Sequence, residues 1–107
     1  MPSSSFCTFL AAWASIYHCC CGYVPGILEE MEMADMAAMI APRPLVVVNG
    51  RFDPIQPFAA AEGAFETVKK IYTAAGMPEN CTFVAGAEGH RFYAEQAWPV
   101  FDRYIQL

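Results

Sequence analysis

Two residues in this sequence combine a reactive type with a setting suited to acid–base chemistry. Asp53 stands in LVVVNGRFDPIQP (45–57), just past an apolar run, and His90 stands in GAEGHRF (86–92), just past another. A carboxylate beside an imidazole orients the ring, fixes its tautomer and stabilises the imidazolium formed when the ring takes a proton. Each residue also has a plainer use. Aspartate before proline is a common turn former, and a histidine between glycine and arginine commonly serves as a surface hydrogen-bonding residue. What decides is whether the two loops meet. Near them stand Arg51, Phe52, Arg91 and Phe92, the side chains placed to line a pocket around such a pair. The arginines suit an acidic substrate or an acidic neighbour, the second being the commoner use. Phe52, Phe92 and Tyr93 suit an acyl or aromatic pocket, although aromatics beside a sheet end are usually core.

A third candidate is His18, which adjoins Cys19, Cys20 and Cys21. Histidine with cysteine can bind zinc, but three adjacent cysteines point in different directions on any regular backbone. The Cys-x-x-Cys spacing of zinc sites is missing as well. No metal is expected. GAEGH has neither the spacing nor the lysine of a phosphate loop, so no nucleotide cofactor is implied either.

The elements that must position the pair are legible. Leu45–Val48 has no polar alternation, which fits a strand covered on both faces as in parallel sheets. Pro57 suits the first turn of a helix running to about Ala75. Phe58, Ala61, Phe65, Val68, Ile71, Tyr72 and Ala75 recur at helical spacing, with Glu66 and Lys70 as an i,i+4 pair on the wet face. Gly76 and Pro78 end it. Residues 81–85 form a second strand. A closing helical segment reaches Leu107, broken or restarted at Pro99 and docked by Trp98, Phe101 and Tyr104. Strand, helix, strand is one βαβ unit with parallel strands and a right-handed crossover. Both loops then leave carboxyl ends, where ligands bind in open α/β sheets. Upstream, residues 1–28 show no clear period. Leu28 to Ile40 is predicted as one helix packing a Leu28, Met31, Met36, Met39 and Ile40 stripe, stopped by APRP (41–44).

Composition bounds the rest. The chain has 107 residues, 56% hydrophobic and 16% charged. Soluble domains average roughly 45–50% and about 25%. This is more apolar surface than one small globule normally buries, as in a piece of a larger domain or a protomer with an apolar interface. A net charge of −5 argues against nucleic acid, which is held largely by Lys and Arg. Glu29, Glu30, Glu32 and Asp35 read as a solvated helix face. The five cysteines, Cys7, Cys19, Cys20, Cys21 and Cys81, read as free thiols of a reducing compartment, which slightly favours the cytoplasm while leaving localisation unknown. The apolar run FCTFLAAWAS (6–15) has no basic region before it and is too short to span a bilayer, so no membrane association is expected.

IAPRPLVVVNGRFDPI (40–55) and GHRFY (89–93) resemble the last third of α/β-hydrolases, most closely the dienelactone-hydrolase-like and acetyl-xylan-esterase-like serine esterases. HCCCGYVPG (18–26) is similar to a segment of that family, which usually has Asn where Gly22 stands. The resemblance covers most of residues 18–107. It implies that Asp53 is the triad acid, that His90 is the triad histidine, and that the His18 segment shapes the pocket wall. It also implies a small-molecule or carbohydrate ester as substrate, without a cofactor. The family's nucleophile sits on a Gly-x-Ser-x-Gly elbow. None of Ser3, Ser4, Ser5 and Ser15 lies in such an elbow. The expectation is therefore an α/β fold in which residues 1–107 are a single partial domain, the C-terminal portion of an α/β-hydrolase. It has parallel strands, a crossover helix and a closing helix, and is inactive alone. Self-association through exposed apolar sheet surface follows from the missing neighbours. The alternatives are a non-catalytic α/β interaction module, or part of a prolyl-oligopeptidase-type serine peptidase, which places its acid and histidine alike.

Overall fold

The structure is a computed structural model that describes residues 1–106, the side chain of Cys21 excepted. Leu107, predicted to end the closing segment, and the Cys21 thiol lie outside the described residues. The apolar run forms strand β1, Leu45–Gly50, with all six residues buried. Successive side chains in a strand point to opposite faces, so each face needs its own cover. Leu45 and Val47 pack among Phe6, Cys7, Ala61, Phe65 and Val68, while Val46 and Val48 pack with Val84, Tyr93 and Ala97.

β1 pairs in parallel with β2, Cys81–Gly86, from Leu45 opposite Cys81 to Gly50 opposite Gly86. A parallel pair needs a crossover, and helix α4, Phe58–Ala74, supplies it. Its buried residues are Ala61, Ala64, Phe65, Val68 and Tyr72; Ile71 and Ala75 of the expected face stay exposed. Pro57 caps this helix rather than opening its first turn. Gly76 terminates it at φ 76°, donating to the carbonyl of Thr73 while Met77 donates to that of Tyr72. This is the left-handed closure that glycine permits. Glu66 and Lys70, both exposed, do not come within ion-pair distance among the described residues.

The region before β1 departs most from expectation. Residues 2–4 lie along the second edge of β1: Val48 donates to Pro2 O at 3.0 Å and Ser4 donates to Val48 O at 2.8 Å. Helix α1, Phe9–Ser15, is capped by Thr8. The single helix predicted over 28–40 is instead two, α2 at Ile27–Glu30 and α3 at Met33–Ala38, with Met31 extended between them. Glu32 causes the restart. Its carboxylate accepts from Met33 N at 3.1 Å, and Asp35 accepts from Glu32 N at 2.8 Å. The methionine stripe is also corrected. Leu28, Met36 and Met39 are exposed, and Ala34, Ala37 and Ala38 make the buried face.

Helix α5, Ala94–Ile105, runs unbroken through Pro99, where a break was expected. Proline there removes one ladder hydrogen bond. Packing of Tyr93, Ala97, Val100, Phe101 and Tyr104 against the strands holds the helix across the gap. Trp98 does not dock it; that ring is half exposed and meets Phe92 and Phe101 edge-on. The result is a compact α/β domain with a two-stranded parallel sheet and a C-terminal helix. Among the described residues no helix is long and apolar enough to cross a membrane.

Candidate functional site

The straight register brings both strands to glycine at the same level, and their loops begin side by side. Pairing continues past the strand ends. Arg51 N donates to Gly86 O and Phe52 N to Glu88 O, both at 2.9 Å. Two residues of one loop are thus zipped to the other before either reaches its chemistry.

Asp53 lies just beyond that zip. Its side chain has no exposure to solvent. Oδ1 accepts from Ile55 N at 2.8 Å and from Gln56 N at 2.9 Å, which builds the turn expected of aspartate before proline. Oδ2 faces His90 Nδ1 at 2.9 Å. The turn-forming and histidine-orienting uses, alternatives in the sequence, are shared between the two oxygens of one carboxylate. Three donors satisfy this buried group and fix its plane.

An ionised carboxylate only accepts, so the Nδ1 position carries the proton and Nε2 presents its lone pair. This tautomer is inferred from the hydrogen bond. The His90 side chain is 40% exposed, and Nε2 has no hydrogen-bond partner among the described residues. The free nitrogen faces outward while the bound one faces the protein, the orientation a general base needs.

The loop around His90 is held from both sides. Tyr93 is buried, and its hydroxyl donates to Gly89 O at 2.7 Å and accepts from Glu88 N at 3.1 Å. Ser4 donates through Oγ to Arg91 O at 3.1 Å. Gly50 and Gly86 make room for this. A Cβ on Gly86 would overlap the Tyr93 ring, and one on Gly50 would overlap Gly89 O. Ser4 and the two glycines were not identified as functional from the sequence, and Tyr93, read there as a pocket or core aromatic, is buried and braces the histidine loop instead. The available signal was a pair of strands both ending in glycine, with a tyrosine shortly after the second.

The pocket candidates separate. Arg51 stacks its guanidinium over the Phe58 ring at 5.1 Å rather than pairing with an acid. Arg91 pairs with Glu88 at 2.6 Å and lies over Tyr93. Phe52 is 76% exposed beside Asp53, and Phe92 is partly exposed against Trp98. His18 shares no hydrogen bond with the pair; its Nε2 lies 2.8 Å from Ala12 O, on α1. Among the described residues no three His, Cys, Asp or Glu side chains gather as metal ligands would. A cleft of about 520 Å³ lies between α4 and β2, lined by residues including Glu62, Phe65, Lys69 and Phe83, and neither Asp53 nor His90 borders it.

No serine hydroxyl reaches Nε2 among the described residues. Ser4 is committed to Arg91 O, and Ser15 to Ala12 O and Ile55 O. Ser4 has φ 50°, the sparsely populated left-handed region. Its backbone pairing with β1 and its bond to the histidine loop keep it there. Behind the Asp53 turn, Cys7 Sγ donates to Gln56 Oε1 at 2.9 Å. Burial, reinforced by the Glu32 and Asp53 charges, pushes that thiol up to about 11, so it is protonated and unreactive at neutral pH. Comparison with protein-family models, with curated proteins and with solved structures finds no match to this chain.

Proposed function

We propose that this chain carries the acid and histidine of a serine α/β-hydrolase acting on carboxylic esters of small molecules or carbohydrates. One observation carries the reading. A fully buried carboxylate holds Nδ1 of a half-exposed histidine at 2.9 Å and leaves Nε2 free, at the carboxyl rim of two parallel strands. The order of strand, acid, helix, strand, histidine and closing helix supports it further, together with the resemblance of residues 40–55 and 89–93 to that family.

In the proposed cycle a serine hydroxyl from outside these residues meets Nε2. Nε2 takes its proton as the oxygen attacks the ester carbonyl, and Asp53 stabilises the imidazolium. The same proton then passes to the departing alcohol, leaving an acyl-enzyme. A water molecule repeats the sequence and releases the acid. In this cycle Phe52 and Phe92, next in sequence to Asp53 and near His90, would serve as acyl-side contacts.

The test is fluorophosphonate labelling of the longer polypeptide read from the upstream coding frames. Labelling at a Gly-x-Ser-x-Gly serine, with turnover of p-nitrophenyl acetate reduced about 10⁴-fold or more in His90→Ala, supports the reading. Upstream frames that encode no such elbow overturn it. The 107-residue chain alone is expected to show no acylation burst; a burst lost in His90→Ala would place the nucleophile inside it.

A second reading, a non-catalytic interaction module, is favoured by one observation. Leu10, Tyr17, Val24, Leu28 and Met39 are each at least half exposed and lie in the first 40 residues, away from the sheet expected to supply the contact.

A further inference from the structure

We propose that Tyr93 is a positioning residue that sets the orientation and tautomer of His90, an inference that rests on reading Asp53 and His90 as an acid–base pair. The loop Ala87–Phe92 leaves β2 without secondary structure of its own. Its backbone needs partners, and near His90 they come from outside the loop. Tyr93 O–H donates to Gly89 O, directly before His90, and accepts from Glu88 N. Ser4 Oγ holds Arg91 O, directly after it. The carbonyl of the peptide that enters the histidine, and the carbonyl of the residue after it, are therefore held by hydroxyls from different parts of the chain.

Tyr93 has the stronger hold. Its ring fills the space above Gly86 and is fully packed, so the hydroxyl cannot swing away. A hydroxyl that both donates and accepts locks the carbonyl of residue 89 and the amide of residue 88 in one relative orientation. That orientation aims the Cα–Cβ bond of His90 so that Nδ1, and not Nε2, reaches Asp53. Without the hydroxyl the loop keeps its zip to Arg51 and Phe52 but loses the constraint nearest the ring. A displacement of a few tenths of an ångström then suffices to weaken a 2.9 Å contact.

Tyr104 provides a matched control. Its hydroxyl also makes two hydrogen bonds, to Glu79 O and Thr82 Oγ1, at the opposite end of β2. The experiment is ring ¹⁵N NMR of His90 in the full chain, on the alkaline side of the ring's titration, for wild type, Tyr93→Phe, Tyr104→Phe and Asp53→Asn. Urea midpoints are measured on the same samples. Wild type is expected to show one tautomer, with the proton on Nδ1. Tyr93→Phe, which retains the ring over Gly86, is expected to shift the pattern toward Nε2–H. Tyr104→Phe is expected to lower the urea midpoint while leaving the pattern at its wild-type position. A Tyr93→Phe spectrum identical to wild type overturns the positioning role. If Asp53→Asn also leaves the wild-type pattern unmoved, the acid–base reading itself fails and the proposal with it.

Discussion

Residues 45–105 and residues 1–43 are built by different means. In the first region the hydrophobic pattern and the packing agree in the main: β1 is buried on both faces, and α4 and α5 each cover one side. In the second, apolar residues such as Leu10 and Tyr17 face solvent, at 66% and 96% exposure. The elements there are short and are held by polar groups. The Glu32 carboxylate accepts from Phe9 N at the start of α1 and from Met33 N at the start of α3. Helices this short are marginal without such support. The contrast teaches that the acid and the histidine stand on the region with the regular sheet and long helices, and that the N-terminal region covers one face of it with small buried residues, Cys7, Ala12, Ala34 and Ala37, beside Phe6.

Substitutions on the two sides should differ most. Leu45→Ala empties a fully packed position and is expected to destabilise by about 3 kcal/mol, read from urea denaturation. Leu10→Ala should stay within about 0.5 kcal/mol. Equal losses would break the comparison and mean that the N-terminal apolar face is buried in solution against a second copy.

Alkaline pH should weaken the junction between the regions. Cys7 has a folded value near 11 against 9.0 unfolded, and burial raises Tyr72 and Cys81 as well. In each case the unfolded state releases its proton first as pH rises. Stability is thus intact below about pH 9 and falls between 9 and 11, on the order of 2 kcal/mol from Cys7. Cys7→Ala should flatten that slope in denaturation series run across this range.

Glu32→Ala should sharpen the division further. Losing the acceptor at two helix starts is expected to remove about 1 kcal/mol. Hydrogen exchange should rise in α1 and α3 while the amides of β1 and β2 keep their protection. The smallest effect belongs to Arg91→Ala. Its pair with Glu88 is exposed on both sides, and the change is expected to stay under about 0.5 kcal/mol in the same denaturation assay.

The legible parts of the sequence were those where one pattern dominated. Four apolar residues without alternation fixed β1, and helical spacing ending at a glycine fixed α4. With two parallel strands in hand, loops at their carboxyl ends meet if the strands are neighbours, so Asp53 and His90 could be named as a candidate pair while the pairing of β1 with β2 decided it. The hidden parts depended on competition between local signals. Glu32 could join an acidic helix face or restart a helix, and its two backbone donors decided for the restart. Pro99 should break a helix, but tertiary packing outweighed one lost hydrogen bond. The pairing of Pro2–Ser4 with β1 left no trace, because three small residues carry no alternation to read.

The straight register of β1 and β2 has a consequence for anyone following this chain as it folds. Sliding one strand by a single residue displaces its loop by about 3.3 Å and reverses which face each side chain occupies. The contact between Asp53 and His90 tolerates neither change. One proton, carried on Nδ1 and donated to Oδ2, therefore acts as a gauge of strand alignment: its low-field resonance should appear only in molecules whose six rungs, Leu45–Cys81 through Gly50–Gly86, have all closed in step.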